Sequence, residues 1–451
     1  MSDDAANSAN DLNLLDELLA KAKRAGADAA DGVLFRSAAL EVSHRLGERE
    51  DLERSESQDL GLRLFLGRKQ AIVSSTDIAA GTLEELLERG MAMAASMPDD
   101  PYCGLADADL LCREMLDLDL ADPNEPEPDG LYDLAAAAEA AAMAVEGVTN
   151  SEGAGASWGR SSIALATSHG FAGGYATSSH TLYASVIAGE GTAMERDFEF
   201  TSARHGGDLE APAEVGRAAG ERAVGRLNPR KQDSQQVPVI YDPRVSRTLL
   251  GHFAGAISGP SVARGTSFLK DRLDEPVFAA GIGIVDDPHR RRGLASKPFD
   301  GEGVANRQWQ LVEDGRLTTW LLDTGSARQL GLTTTGHASR GTSGPPSPGT
   351  TNLYMQAGDR GPEALYADLA AGLYVTELIG FGVNGVTGDY SRGAAGFWIE
   401  NGERTYPVSE LTIAGNLKEM YQQLTPADDL VFRYGSNAPT VRVDGMTVAG
   451  T

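Results

Sequence analysis

Hydrophobic residues at the start of the chain recur at helical spacing, and further on they alternate with polar residues. A helix is predicted over residues 11–25, because its leucines share one face. Strands are predicted over 32–50 and 59–76, where apolar and polar side chains alternate. Thr82 and Glu85 have the spacing of a capping box that begins a second helix. The other elements predicted before residue 228 are helices at 131–146 and 212–227 and strands at 157–170, 173–191 and 193–207.

The pattern changes after residue 227. Residues 228–236 are polar and have no periodicity, so we predict a linker there. The chain before the linker predicts an N-terminal domain (1–227) of helices packed on an antiparallel sheet. The chain after it predicts a C-terminal domain (237–451) that is mostly β with inserted helices. Together these patterns predict the fold class α+β.

The second half has its own local signals. A strand is predicted at 237–241 and a helix at 244–257. Residues 341–350 are rich in glycine and proline, which predicts a surface loop. Hairpin turns are predicted where Asp or Asn precedes glycine, at Asp314-Gly315 and Asn401-Gly402.

Charge and composition exclude several classes of protein. The chain has 39 Lys and Arg against 65 Asp and Glu, a net charge of −26. Broad binding to a phosphate backbone needs a basic surface, so no nucleic acid partner is predicted. The start of the chain is acidic and lacks an apolar signal core, and no run of about 18 apolar residues occurs. We therefore expect a cytoplasmic protein with no membrane partner.

Short motifs do not reveal a catalytic centre. None of the seven histidines is followed by Glu, so the HExxH zinc motif is absent. The G-x-S-x-G string at 155–159 and the S-x-x-K string at 267–270 lack the sequence context that these motifs require, and we interpret both as chance matches. The basic run at 289–292 has two interpretations. It would hold a carboxylate or a partner's acidic patch, or it would offset the negative charges of Asp286 and Asp287 locally.

Several segments in order along the chain resemble the TldD/PmbA family, and residues 151–160 upstream add to the resemblance. The ending of the chain resembles the PmbA branch, which is also called TldE. The resemblance covers nearly the whole chain. The segments are RGTSFL (264–269), GIGIVDD (281–287), RRRGLASKPFDGEG (290–303), LVEDGRLTTWLLDTGSARQLG (311–331), TTNLYMQAGD (350–359), TGDYSRGAAGFWIENG (387–402) and LTIAGNLKEM (411–420).

The resemblance also has a chemical implication. TldD-type subunits carry an HExxxH helix before the R-G-T-S segment and a cysteine as third metal ligand. Counting back from that segment, the two His and the Glu fall at Leu250, Gly251 and Gly255, which offer no metal ligand. His252 is nearby but alone and out of register, and the third-ligand region, 377–382, has no cysteine. The resemblance therefore implies no catalytic residue, no metal site and no cofactor.

By resemblance, we expect a non-catalytic PmbA/TldE-type subunit. It would form a dimer with a TldD-type metallopeptidase and contribute to the processing of small or unfolded peptides that bind in extended form. One alternative is a stand-alone homodimeric binding protein that modulates the inhibition of DNA gyrase. Another is a peptidase with an unrecognised site, in which His252, His337 and Arg340 line a common cavity.

Overall fold

The computed structural model describes residues 3–450, and the side chains from residue 8 onwards. Its N-terminal half is a six-stranded antiparallel sheet in the order β3-β2-β1-β4-β5-β6, with four helices. The elements are α1 (Asp3–Arg24), β1 (Ala29–Arg45), β2 (Glu48–Leu66), β3 (Lys69–Ser75), α2 (Ala80–Ser96), α3 (Pro128–Met143), β4 (Val148–Thr167), β5 (Ala172–Ala188), β6 (Glu195–Ala203) and α4 (Pro212–Gly225).

All four helices contribute to cores on the same face of this sheet. Leu15 and Leu19 of α1 pack with Leu34, Leu62 and other apolar residues of β1 and β2, together with α2. Further along the strands, α3 and α4 cover a second cluster that contains Leu40 and is rich in alanine. Because side chains alternate along a strand, the odd-numbered residues of β1 face the other way. That second face meets the C-terminal half.

The C-terminal half contains a barrel-like sheet. Strand β16 pairs with both β15 and β19, which closes the order β16-β15-β14-β7-β19, and β14 runs parallel to β7. A separate five-stranded sheet has the order β10-β9-β8-β13-β18. The elements are β7 (Gln235–Tyr241), α5 (Pro243–Ala256), α6 (Gly259–Ala263), β8 (Ile284–Asp286), β9 (Trp309–Glu313), β10 (Arg316–Leu317), α7 (Thr324–Leu330), β11 (Ala338–Ser339), β12 (Ser347–Pro348), β13 (Leu353–Met355), β14 (Ala371–Val383), β15 (Asp389–Glu400), β16 (Glu403–Asn416), α8 (Leu417–Gln422), β17 (Leu424–Pro426), β18 (Ser436–Asn437) and β19 (Val441–Ala449).

The predicted α+β class, with helices on an antiparallel sheet followed by a mostly β half, is confirmed. Both hairpin turns are present, with φ of +47° and +76° at Asp314 and Gly315 and +51° and +81° at Asn401 and Gly402. Positive φ at both central residues is the signature of a type I′ turn. Among the described residues, no helix combines the length and the apolar character needed to cross a bilayer.

The capping-box prediction is wrong. Helix α2 begins at Ala80, before the predicted cap. Thr82 instead donates its hydroxyl hydrogen to Asp77 Oδ2 at 2.7 Å, and Asp77 Oδ1 accepts the Ala79 N–H at 2.9 Å. An aspartate three residues before the helix therefore organises the turn that leads into it, which the spacing of Thr82 and Glu85 does not indicate.

The loop at 341–350 packs against the N-terminal sheet. Most of its residues are at least partly exposed, as predicted, but Thr342 is buried and its hydroxyl bonds to the Asp59 carboxylate. A side chain at Gly61 of β2 would place its Cβ 2.5 Å from the Thr342 carbonyl oxygen. Glycine at 61 therefore permits the loop to approach the sheet backbone.

A buried group of charges joins the two halves. Asp31 and Arg63 face each other on β1 and β2, and Arg63 Nε donates to Asp31 Oδ2 at 2.9 Å. Arg340 of the C-terminal half donates to the other oxygen of Asp31 at 2.6 Å, and Glu302 Oε1 lies 3.8 Å from Arg63. We call Asp31, Arg63, Glu302 and Arg340 the Asp31 cluster. Burial would raise the pKa of Asp31, but Arg340 and Arg63 outweigh it and lower that pKa.

Glu302 responds differently to the same environment. Burial raises its pKa, the neighbouring charge of Asp300 raises it further, and Arg63 opposes both, with the result about 7. Because the folded-state pKa of Glu302 is above the unfolded value, its own contribution to stability is fully present below the unfolded pKa and is lost as pH rises through about 7. Glu302 Oε2 also accepts the Thr324 N–H at 2.8 Å.

We therefore expect Glu302→Gln, which keeps an acceptor for the Thr324 N–H but cannot ionise, to flatten the pH dependence of stability. We compare the free energy of unfolding of the variant with that of wild type at each pH. This difference should move in favour of the variant by about 1–3 kcal/mol from about pH 5 to about pH 8, because only wild type loses the contribution of Glu302. Urea unfolding at the two pH values measures the difference. Equal pH dependence in the two proteins would contradict a raised pKa at Glu302.

Candidate functional site

The candidate site is built around α5, whose two ends are fixed by local interactions. Asp242 accepts the Arg244 N–H at 2.9 Å, and Pro243 follows it at the first helical position, where no N–H donor is needed. At the other end, the buried Ser267 hydroxyl donates to the Ala256 carbonyl oxygen at 2.6 Å. The segment that follows α5 is therefore held against the end of the helix.

The side of α5 that faces away from the core is the feature of interest. Leu249, Leu250 and Phe253 lie on the opposite side, in the main core of the C-terminal half. The outward-facing residues share one face of the helix, on which positions three and four apart are neighbours. These residues, which we call the α5 stripe, are Arg244, Arg247, Thr248, Gly251 and Gly255.

A groove of about 460 Å³ lies beside the first turns of the α5 stripe. Strands β5 and β6 of the N-terminal sheet contribute one part of its wall, and α5, β14 and β15 contribute the other. We call it the α5 groove. Its cationic and aromatic lining residues are Arg196, Arg226, Arg244, Arg247, Arg392, Phe198, Phe200 and Tyr434.

Ion pairs hold two of these arginines in place. Arg226 lies 2.6 Å from Glu377 Oε2 and 3.5 Å from Asp197 Oδ2, and Arg244 lies 3.0 Å from Asp197 Oδ1. Burial would lower the pKa of Arg226, but Glu377, Asp197 and other acids raise it. Arg226 is therefore a cation at neutral pH. Its acidic partners lie on two different elements, Asp197 on β6 of the N-terminal sheet and Glu377 on β14.

The groove offers planar cations and aromatic faces. The Arg247 guanidinium lies over the Tyr434 ring at 4.4 Å, and that of Arg244 lies over the Phe198 ring at 4.9 Å. The lining residues include neither histidine nor cysteine. The arrangement is suited to binding a polar chain.

The structure separates the three positions that the resemblance assigns to metal-site residues. Leu250 is fully buried in the core. Gly251 and Gly255 are exposed, and a Cβ at either position would have no other atom within 4 Å. The predicted third-ligand segment, 377–382, lies on β14, where Glu377 lines the α5 groove.

His252 is half-buried beside Tyr390 of β15, with ring centroids 6.0 Å apart. Burial lowers its pKa and the charge of Arg392 lowers it further, so the ring is neutral at pH 7. Its Nε2 atom is buried and has no hydrogen-bond partner in the described part of the chain.

His337 and Arg340 have different neighbours. His337 is buried, with Nδ1 2.8 Å from the Thr335 hydroxyl and Nε2 3.4 Å from Asp286 Oδ2. Arg340 belongs to the Asp31 cluster. Within residues 3–450, no hydrogen bond, ion pair or ring contact joins His252 to either of them, so a joint site has no support in the geometry.

The residues around α5 do not fit a catalytic metal ion. No group of three or more His, Cys, Asp and Glu side chains within residues 3–450 is placed to hold one. The acidic groups of the groove, Asp197 and Glu377, are already bound by arginines. A peptidase zinc site needs three protein ligands, and arginines beside it would repel the cation.

The basic run at 289–292 finds partners that are distant in sequence. Arg291 and Arg292 both bind Asp119, and Arg292 also binds Asp208 at 2.9 Å. The interpretation that these arginines offset Asp286 and Asp287 is therefore wrong. The sequence did not lead us to predict the arginines of the groove. Arg244 and Arg247 lie three residues apart at the start of a predicted helix, and this spacing could have indicated that they share one face.

Comparison with known proteins identifies the family. Residues 31–94, 121–227 and 234–450 match domain 1, the central domain and the C-terminal domain of PmbA/TldA metallopeptidases. Metalloprotease PmbA of Escherichia coli is 39% identical over 425 residues, which are 94% of this chain and 92% of that protein. The chain belongs to the PmbA/TldD family. A metalloprotease TldD homologue of Haemophilus influenzae is 27% identical over 233 residues, 48% of each chain.

Solved structures share the fold of this chain. A candidate modulator of DNA gyrase from Bacteroides thetaiotaomicron superimposes with a TM-score of 0.89 at 26% identity, covering 97% of this chain and 98% of that one. TldE from Thermococcus kodakarensis gives a TM-score of 0.85 at 21% identity, covering 97% and 100%. The family resemblance seen in the sequence is confirmed.

The open surroundings of Gly251 lead to a stability prediction. We expect Gly251→Ala to raise the free energy of unfolding by about 0.5–1 kcal/mol, because alanine favours a helix and its Cβ meets no other atom. Gly61→Ala is the matched contrast: its Cβ would collide with the Thr342 carbonyl oxygen, at a cost of about 1–3 kcal/mol. Denaturant unfolding measures both free energies. A destabilised Gly251→Ala variant would contradict the open space around position 251.

Proposed function

We propose that this protein is a non-catalytic PmbA/TldE-type subunit that assembles with a TldD-type metallopeptidase and contributes to the digestion of small or unfolded peptides. The observation that carries the proposal lies on helix α5. At the positions where the resemblance places metal-site residues, this chain has a buried leucine and two exposed glycines. None of these side chains has a lone pair for a metal ion or a basic group for water.

The α5 groove supports a role in holding peptide. Strand β6 is the last strand of the N-terminal sheet, and its residues 196–198 and 200 line the groove. The N–H groups of Phe198 and Phe200 on this edge strand donate to the carboxylates of the preceding residues at 2.8 and 2.9 Å. A peptide would therefore bind here mainly through the side chains that line the groove. The aromatic rings and guanidinium groups of the groove would contact the peptide side chains.

The hairpin between β14 and β15 is the proposed contact for the TldD-type subunit. Ile379, Phe381 and Val386 are 60%, 97% and 56% exposed, an unusual set of apolar side chains on an acidic protein. The pairing of β14 with β15 shifts register between Ile379 and Gly382, and Gly380 has φ of +80°. This bulge accompanies the outward position of Phe381. Because β14 also lines the α5 groove, a partner bound at the hairpin would lie beside the groove.

We expect Phe381→Asp to weaken association with a TldD-type subunit at least about tenfold, because a charge would replace a central apolar contact. Fold stability should not change, since the side chain is almost fully exposed. Both chains would be co-expressed and the affinity measured by titration of the purified subunits. Met194→Asp, at a side chain that is 54% exposed on the N-terminal half, is the matched control and should bind normally.

Two outcomes would contradict the proposal. The first is robust peptide cleavage by this chain alone with stoichiometric bound metal. The second is failure of a TldD-type chain from the same organism to bind at any ratio. Capture of DNA gyrase from cells without a TldD-type chain would favour the alternative of a stand-alone regulatory protein.

A further inference from the structure

A second cavity lies at the junction between the two halves. Its volume is about 200 Å³. One side is formed by the N-terminal sheet and the other by loops of the C-terminal half. Its walls are mainly apolar and include the aromatic rings of Phe35, Tyr175 and Phe299, of which Tyr175 and Phe299 are in edge-to-face contact at 5.3 Å. Such walls suit a small ligand with an apolar or aromatic group.

Arg340 lines this cavity and has unused hydrogen-bonding capacity. Its side chain is only 2% exposed, and Nη1 donates to Asp31 Oδ1 at 2.6 Å. Its Nε and Nη2 atoms are buried and have no acceptor among the described residues. These two nitrogens direct parallel N–H bonds from one edge of the guanidinium, which is the geometry that binds both oxygens of a carboxylate.

The other charged groups of the cavity are already engaged. Asp300 accepts N–H bonds from Val304 at 2.8 Å and from Ala338 at 3.1 Å, so its oxygens hold the loop backbone. Lys297 donates to the Ala338 carbonyl oxygen at 3.0 Å and adds a buried ammonium group to the lining. Nε and Nη2 of Arg340 are therefore the buried nitrogen atoms of the lining side chains that have no acceptor in the described part of the chain.

We propose that the cavity binds a small monocarboxylate with an apolar or aromatic group, whose two oxygens pair with Nε and Nη2 of Arg340. The apolar part of the ligand contacts Phe35, Tyr175 and Phe299. The carboxylate is either that of a free acid or the C-terminus of a short peptide. This site is separate from the α5 groove, and the inference does not rest on the proposed function.

Calorimetric titration of the full chain with benzoate and with benzamide tests the site. Benzoate should bind saturably at one site, and benzamide, which lacks the second oxygen and the charge, at least about tenfold more weakly. Arg340→Lys retains a cation beside Asp31 but not the paired N–H edge, and it should lose at least about tenfold in benzoate affinity. Absence of saturable benzoate binding to wild type, or equal binding of benzamide, overturns the proposal.

A second variant keeps the test valid if Arg340→Lys is unstable. Ser339 is exposed and lines the cavity, so Ser339→Phe should obstruct the cavity and weaken benzoate binding while Arg340 stays intact. Unchanged benzoate affinity in this variant overturns the proposed location.

N-acetyl-Ala-Phe and its C-terminal amide distinguish the two sources of the carboxylate. Tighter binding of the free peptide acid than of benzoate identifies a peptide C-terminus, and the reverse order identifies a free acid.

Discussion

The buried carboxylate of Asp31 joins the two halves of this protein. It accepts hydrogen bonds from Arg63 on the neighbouring strand and from Arg340 in the other half, and all three side chains are almost fully buried. Removing one partner from such a group leaves an uncompensated buried charge, which typically costs about 3–5 kcal/mol. The relative position of the two halves is therefore strongly specified. Both the α5 groove and the smaller cavity lie across this junction and depend on that position.

Helix α5 has two faces with separate roles. Its buried face carries leucines and Phe253, which pack in the same core as the barrel strands, and this face anchors the helix. Its outer face carries arginines at the start and glycines further on, and it contributes to no core. A helix of this kind can keep its packing while its outer residues differ between relatives. The arginines of the outer face, together with β6 and β14, line the cationic α5 groove.

Strand β14 connects the two surfaces that matter for the proposed function. Glu377 and Leu378 line the α5 groove, and a few residues later a bulge accompanies the exposure of Phe381. Apolar side chains that project from an acidic surface are typical of sites covered by another protein. The same strand would therefore place a bound partner next to a bound peptide, which is the arrangement that a two-subunit peptidase needs.

Local sequence determined much of the secondary structure. Alternation predicted β structure in the N-terminal sheet, although the strand predicted at 59–76 spans the turn between β2 and β3. The dipeptides Asp314-Gly315 and Asn401-Gly402 predicted two hairpin turns of the C-terminal half, because backbone preference and side-chain periodicity act over a few residues. The segment string also determined the family. Local spacing misled at Thr82, where Asp77 in the preceding turn supplies the hydrogen bonds.

Only the tertiary structure decided which charges meet. The pairs between Asp31 and Arg340, between Arg292 and Asp119, and between Arg226 and Glu377 join residues more than 150 positions apart. No periodicity along the chain relates such residues. Their partners are selected by how the sheet, the barrel and the loops fold against one another, and both sites arise from that packing.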